Sequence, residues 1–181
     1  MHGMQLWVAQ PSSTRDGGAG FEHFDALPIF ETSNLTATVL VGTFGELRSP
    51  ARRDSALVGV ELGLHGGDAT VAFDATFEYA LVVANGSVLV DDIVVHPGEL
   101  AYLGAGRDEC RFESKGPARA MLIGGVPFDE RLFMWWNFVA RTQDEISEAW
   151  RAWTSADERF GRVDSRFARI EVDAPTWLAR Q

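Results

Sequence analysis

The stretch FEYALVVANGSVLVDDIVV, residues 77–95, carries the clearest β pattern in the sequence. A strand's two-residue period puts Phe77, Tyr79, Leu81 and Val83 on one face and Glu78 on the other, so the spacing predicts an inward Tyr79. Asn85-Gly86 readily takes the positive φ angles of a tight hairpin turn, and Asp91-Asp92 separates the next two apolar runs. On either side of this stretch, turn signals recur at Gly66-Gly67-Asp68, Pro97-Gly98, Gly104 to Gly106, Gly116-Pro117 and Gly124-Gly125. The β-branched and aromatic runs between and beyond them predict strands at 5–9, 21–25, 37–44, 56–64, 69–73, 99–103, 108–113 and 118–124. Short strands at such regular spacing form a sandwich or barrel. Residues 11–20, PSSTRDGGAG, read as a polar loop. One helix breaks the pattern. Thr142 and Glu145 make a capping box, and Ile146, Ala149, Trp150 and Trp153 share a face, which predicts a helix over 142–155.

Composition bounds the function. With 181 residues, 46% hydrophobic and 23% charged, the chain can bury its own core and is neither disordered nor collagen-like. A net charge of -10 and a pI near 4.8 repel phosphate backbones. The one dense basic group, Arg48, Arg52 and Arg53, reads as a solvated loop, so no direct nucleic-acid binding is expected. Cys110 is the single cysteine, which forbids an intrachain disulfide and suits a quietly buried thiol between Arg107 and Arg111. No apolar run reaches the roughly 18 residues a membrane span needs, and MHGMQLWVAQP lacks the features of a secretory leader. A cytoplasmic location without membrane contact is expected.

Three segments, GMQLWV (3–8), HPGELAYLGAG (96–106) and GGVPFDERLFMWWNFVARTQDEI (124–146), resemble the C-terminal half of a pirin family protein in their order and spacing. The similarity runs from about residue 2 to residue 161. It implies an all-β fold, a cupin-type double-stranded β-helix (jelly-roll barrel) with one C-terminal α-helix, occupying residues 1–161 and followed by a tail at 162–181. Pirins are bicupins whose N-terminal barrel carries a metal, usually iron, held by three His and one Glu. By this resemblance the chain starts where that first barrel has ended. Iron is then expected only in the absent N-terminal half, with no cofactor in this chain.

A cupin-type site takes an HxH pair and a Glu from one hairpin and a further His from a later strand, because octahedral iron or manganese needs several converging imidazole and carboxylate donors. Aligning on Gly86 places Tyr79 at the Glu position and the HxH positions among Ala72, Phe73, Asp74 and Ala75. Counting from Gly98 places Glu109 at the last His position. None of these keeps its ligand, and His2, His23, His65 and His96 are scattered without HxH or HxxxH spacing. Neither a metal site nor a catalytic residue is expected here. What remains is a candidate ligand pocket of Phe73, Phe77, Tyr79 and Glu109, with Arg111 or the Tyr79 hydroxyl partnering the buried carboxylate.

The leading expectation is a metal-free, non-catalytic pirin-like cupin that acts as a structural or protein-interaction module. The alternatives are a cupin dioxygenase of quercetinase type, whose metal site is not evident in this chain, and a binder of small aromatic ligands in the barrel. Phe133, Trp135, Trp136 and Phe138 form the candidate interface, and the expected partner is a second copy of the chain or a metal-bearing cupin half.

Overall fold

The computed structural model describes residues 3–18, 20–162 and 164–178. They group into two compact units, Gln10–Phe128 and Met1–Ala9 with Asp129–Gln181. The larger unit holds β1 (Ile29–Glu31), β2 (Leu35–Val41), β3 (Thr43–Phe44), β4 (Leu47–Arg48), β5 (Leu57–Leu64), β6 (Gly67–Ala72), β7 (Glu78–Asn85), β8 (Val88–Val90), β9 (Ile93–Val95), β10 (Leu100–Gly104), β11 (Glu109–Ser114) and β12 (Ala118–Gly125). A six-stranded antiparallel sheet runs β1-β2-β5-β12-β7-β10, and a four-stranded one runs β6-β11-β8-β9. One apolar cluster draws Leu35, Leu62, Leu81 and Leu122 from the first sheet and Val71, Val88, Val90 and Phe112 from the second. The two sheets therefore share a single core, as the jelly-roll reading requires.

Alternation decides what each strand buries. On β5, Val60, Leu62 and Leu64 are buried, while Glu61 turns out and accepts a hydrogen bond from Arg119 Nε of β12. On β7, Tyr79, Leu81 and Val83 face the core as their spacing predicted.

Three expectations need correction. Asn85-Gly86 does not close a hairpin between β7 and the next strand, because β7 pairs with β12 and β10 while β8 belongs to the other sheet. Gly86 is instead required by crowding at this crossing. Its φ is +70°, and a Cβ there would lie 2.6 Å from the Pro117 carbonyl oxygen. The two-residue hairpin is Asp91-Asp92, joining β8 to β9 with φ of 48° and 62°. Residues 5–9 and 21–25 form no strands: Leu6, Trp7 and Val8 are exposed, and the edge beside β2 is taken by β1 through the pairing of Ile29 with Thr38.

The smaller unit is built on aromatic packing. β13 (Phe133–Trp135) and β14 (Phe138–Ala140) pair around the two-residue loop Trp136-Asn137. Trp136 there has φ of 50°, a left-handed conformation that costs a non-glycine residue about 1–2 kcal/mol. Its ring contacts with Phe138 and Trp153, both at 5.2 Å between centroids, offset that cost. α1 (Gln143–Thr154) starts as expected, with Thr142 Oγ1 accepting from the Glu145 backbone N–H at 3.2 Å. Three indole N–H groups fasten later segments to this helix. Trp150 donates to the Val172 carbonyl at 3.0 Å, Trp153 to that of Ile170 at 2.9 Å, and Trp177 to Ser147 Oγ at 3.0 Å. The Arg169 guanidinium lies 3.8 Å from the Trp153 ring centre. Phe133, Trp135, Trp136 and Phe138 are each half-buried in this unit. Among the described residues no helix is long and apolar enough to cross a membrane.

Candidate ligand cavity

The site begins with the turn after β6. Asp74 Oδ1 accepts from the backbone N–H of Thr76 at 2.9 Å and from its hydroxyl at 2.6 Å, a local side-chain bond that shapes the turn into β7. This turn sets the Phe73 ring against Tyr79, stacked at 3.9 Å between centroids with 17° between planes. The Tyr79 phenol oxygen accepts from the Asp74 backbone N–H at 2.9 Å, and Phe77 lies 6.0 Å from the same ring. Across the sheet, Tyr79 pairs with Gly124 of β12. A Cβ on Gly124 would come within 2.4 Å of Tyr79 Cδ1, so the missing side chain is what admits the ring.

Phe73, Phe77 and Tyr79 line a cavity of about 680 Å³, together with Phe44, Arg53 and Asp74 among others. That volume lies in the range of small-molecule sites, about 300–1,000 Å³. Burial, with the Asp74 charge in support, pushes the Tyr79 phenol above its ordinary range, partly opposed by the hydrogen bond from Asp74. The Thr76 bonds hold the Asp74 carboxyl below its usual range. At neutral pH the cavity therefore presents a neutral phenol and an ionised carboxylate. The phenol oxygen acts as an acceptor, and its O–H has no protein acceptor among the described residues. Arg53 bonds only the Ser55 carbonyl, at 3.5 Å, and has no carboxylate partner among the described residues. Its neighbour Arg52, by contrast, pairs with Asp54 at 3.0 Å.

The structure brings Phe73, Phe77 and Tyr79 together as expected, but Glu109 and Arg111 are outside the pocket. β11 alternates, and it is Cys110, Phe112 and Ser114 that face the core while Glu109 and Arg111 stay exposed. Burying the apolar set is favourable, whereas a buried carboxylate would need compensation. Arg111 instead lies near Asp68 and Glu113, at 3.5 and 3.9 Å, in water. The inward residue beside the expected last-His position is thus Cys110. Burial and the Asp91 charge push its thiol up to about 11, against the opposing pull of Arg107, which keeps it protonated at neutral pH.

Iron, the metal expected of the family, does not fit these residues. Ala72, Phe73, Asp74 and Tyr79 do line the cavity, so the HxH and Glu positions converge in space. Their side chains offer one carboxylate and one neutral phenol, short of the imidazole and carboxylate set that an octahedral ion needs. Among the described residues no group of three or more His, Cys, Asp or Glu side chains gathers anywhere. His23, His65 and His96 bond separately to Asp25, Thr36 and Ser87. Sequence reasoning missed Arg53 and Gly124 as parts of the site. The available signal was Gly124-Gly125 at the end of a strand pattern, which marks close approach of another group as well as a turn.

The pirin C-terminal cupin domain matches residues 60–161, more than half of the chain. Over 91% of its length the chain is 39% identical to the Pseudomonas aeruginosa protein named "Putative quercetin 2,3-dioxygenase", of which it covers 52%. It is 30% identical to the "Pirin-like protein" of Caulobacter vibrioides, covering 57% of that protein. The crystal structure of quercetin 2,3-dioxygenase from Acinetobacter baumannii matches with a TM-score of 0.88 and 36% identity, over 93% of this chain and 57% of that one. The chain thus spans about half the length of the curated relatives it matches. By the extent of the domain match and the shared fold, it belongs to the pirin family, as a C-terminal cupin domain.

Proposed function

We propose that this chain serves as the C-terminal cupin of a dioxygenase-type pirin, contributing to the oxygenation of quercetin or a similar flavonol. The observation that carries this reading is the match over 93% of the chain, with a TM-score of 0.88, to a protein titled quercetin 2,3-dioxygenase. The relatives' names thereby favour dioxygenase chemistry over a purely structural module. The redox metal belongs, on this reading, to a second cupin, because Ala72, Phe73 and Tyr79 stand where ligands would be needed. This chain's contribution, on the same reading, is to pack against that cupin or to pair with a second copy, with the half-buried Phe133, Trp135, Trp136 and Phe138 as the contacting aromatic residues.

The test is quercetin consumption and oxygen uptake, measured for the chain alone with Fe(II) and for the chain combined with the N-terminal half of the Acinetobacter baumannii enzyme. Turnover that needs the combination supports the reading. Turnover by the chain alone, or none in a combination shown to form a complex, contradicts it.

A further inference from the structure

We propose that the Tyr79 cavity is itself a binding site for a planar aromatic anion, one that stacks on the Phe73 and Tyr79 rings and pairs its charged group with Arg53. This inference stands apart from the dioxygenase reading. It needs neither a metal nor a second cupin.

Four features of the cavity specify the ligand. The space, about 680 Å³, suits a fused-ring molecule. The wall is aromatic, from the stacked Phe73 and Tyr79 pair with Phe44 and Phe77 also lining it. Tyr79 as a residue is only 5% exposed, and its hydroxyl accepts from the Asp74 N–H while its proton has no acceptor among the described residues, so a ligand oxygen would complete it. Arg53 lines the same space with no carboxylate partner among the described residues. Guanidinium groups recognise carboxylates by charge-assisted bonds, which are the strong class. The one acidic lining residue, Asp74, already has Oδ1 engaged by both donors of Thr76, which limits its competition for Arg53.

Charge on the rest of the chain adds selectivity. A net charge of -10 disfavours polyanions at long range, so a compact monoanion is favoured over a phosphorylated or polymeric ligand.

The experiment is isothermal titration calorimetry of the full chain with 2-naphthoate, with 2-naphthamide and cyclohexanecarboxylate as uncharged and non-planar comparators. One-to-one binding of 2-naphthoate is expected, tighter than either comparator. Arg53→Gln should weaken it roughly tenfold or more, and Tyr79→Phe roughly fivefold, as loss of the guanidinium–carboxylate pair and of the Tyr79 hydroxyl's bond to the same carboxylate respectively. Both variants keep the ring stack, and circular dichroism confirms that they fold. Absence of saturable binding at millimolar 2-naphthoate overturns the proposal. So does binding that Arg53→Gln leaves within twofold of the parent, or that the two comparators equal.

Discussion

Replacing Gly124 by alanine should destabilise the protein although the backbone there accepts any residue, since Gly124 is absent from the positive-φ positions. The added methyl would stand 2.4 Å from Tyr79 Cδ1, 2.6 Å from Cε1 and 3.0 Å from the Glu78 carbonyl oxygen. Tyr79 cannot move away freely, being 5% exposed, stacked on Phe73 and bonded to the Asp74 N–H. Overpacking of this kind costs about 1–3 kcal/mol. Against it, alanine reduces the entropy of the unfolded chain, a gain of about 0.4–1 kcal/mol. The net expectation is a loss of about 1–2 kcal/mol. Urea unfolding followed by far-ultraviolet circular dichroism measures it, in the parent and in a Tyr79→Val background where the ring is gone. In that background Gly124→Ala should become neutral or stabilising, and the cycle should return a coupling of about 1–3 kcal/mol. A neutral Gly124→Ala in the parent, or the same loss in both backgrounds, would refute the claim that this glycine exists to admit the Tyr79 ring.

Further consequences are open to direct measurement. Thr142→Ala removes the cap of α1 and should cost about 1 kcal/mol, read by tryptophan fluorescence because Trp150 and Trp153 lie on that helix. Cys110 is raised from 9.0 to about 11, so the buried thiol contributes stability that is intact below pH 9 and lost as pH rises through 11; urea midpoints for the parent and Cys110→Ala should converge across that window. Trp153→Leu removes both the bond to Ile170 and the Arg169 contact, and tryptic cleavage after Arg166 and Arg169 should accelerate several-fold while cleavage after Lys115 is unchanged.

The legible parts of the fold were those where one local signal had a single physical meaning. The alternation of Tyr79, Leu81 and Val83 could be buried in only one sense, and the Thr142 and Glu145 pair marked a helix start that the structure places at the same cap. Asn85-Gly86 misled because a glycine with positive φ serves a hairpin and a sheet-to-sheet crossing equally well. Only the backbone of Pro117 and Ala118, distant in sequence, distinguishes the two. For β11 the alternation itself was clear, but placing Glu109 at the cupin's last His position, counted from Gly98, drew it inward against the greater apolar weight of Cys110 and Phe112. Arg53 reads in the sequence as part of a solvated basic loop, because only the structure shows that it lacks a carboxylate neighbour among the described residues while the adjacent Arg52 has Asp54. The segments beyond residue 162 carry no periodic pattern, since they are fastened by three indole N–H bonds to carbonyl and hydroxyl oxygens rather than by an apolar face.

The residues at a cupin's metal position line an aromatic cavity in this chain. Elemental mass spectrometry of the purified chain tests it, before and after incubation with Fe(II), Mn(II), Ni(II) and Cu(II) followed by desalting. Metal far below one ion per chain is expected under every condition. One tightly held ion per chain, lost on Tyr79→Phe or Asp74→Asn, would contradict it and place dioxygenase chemistry in this cupin itself.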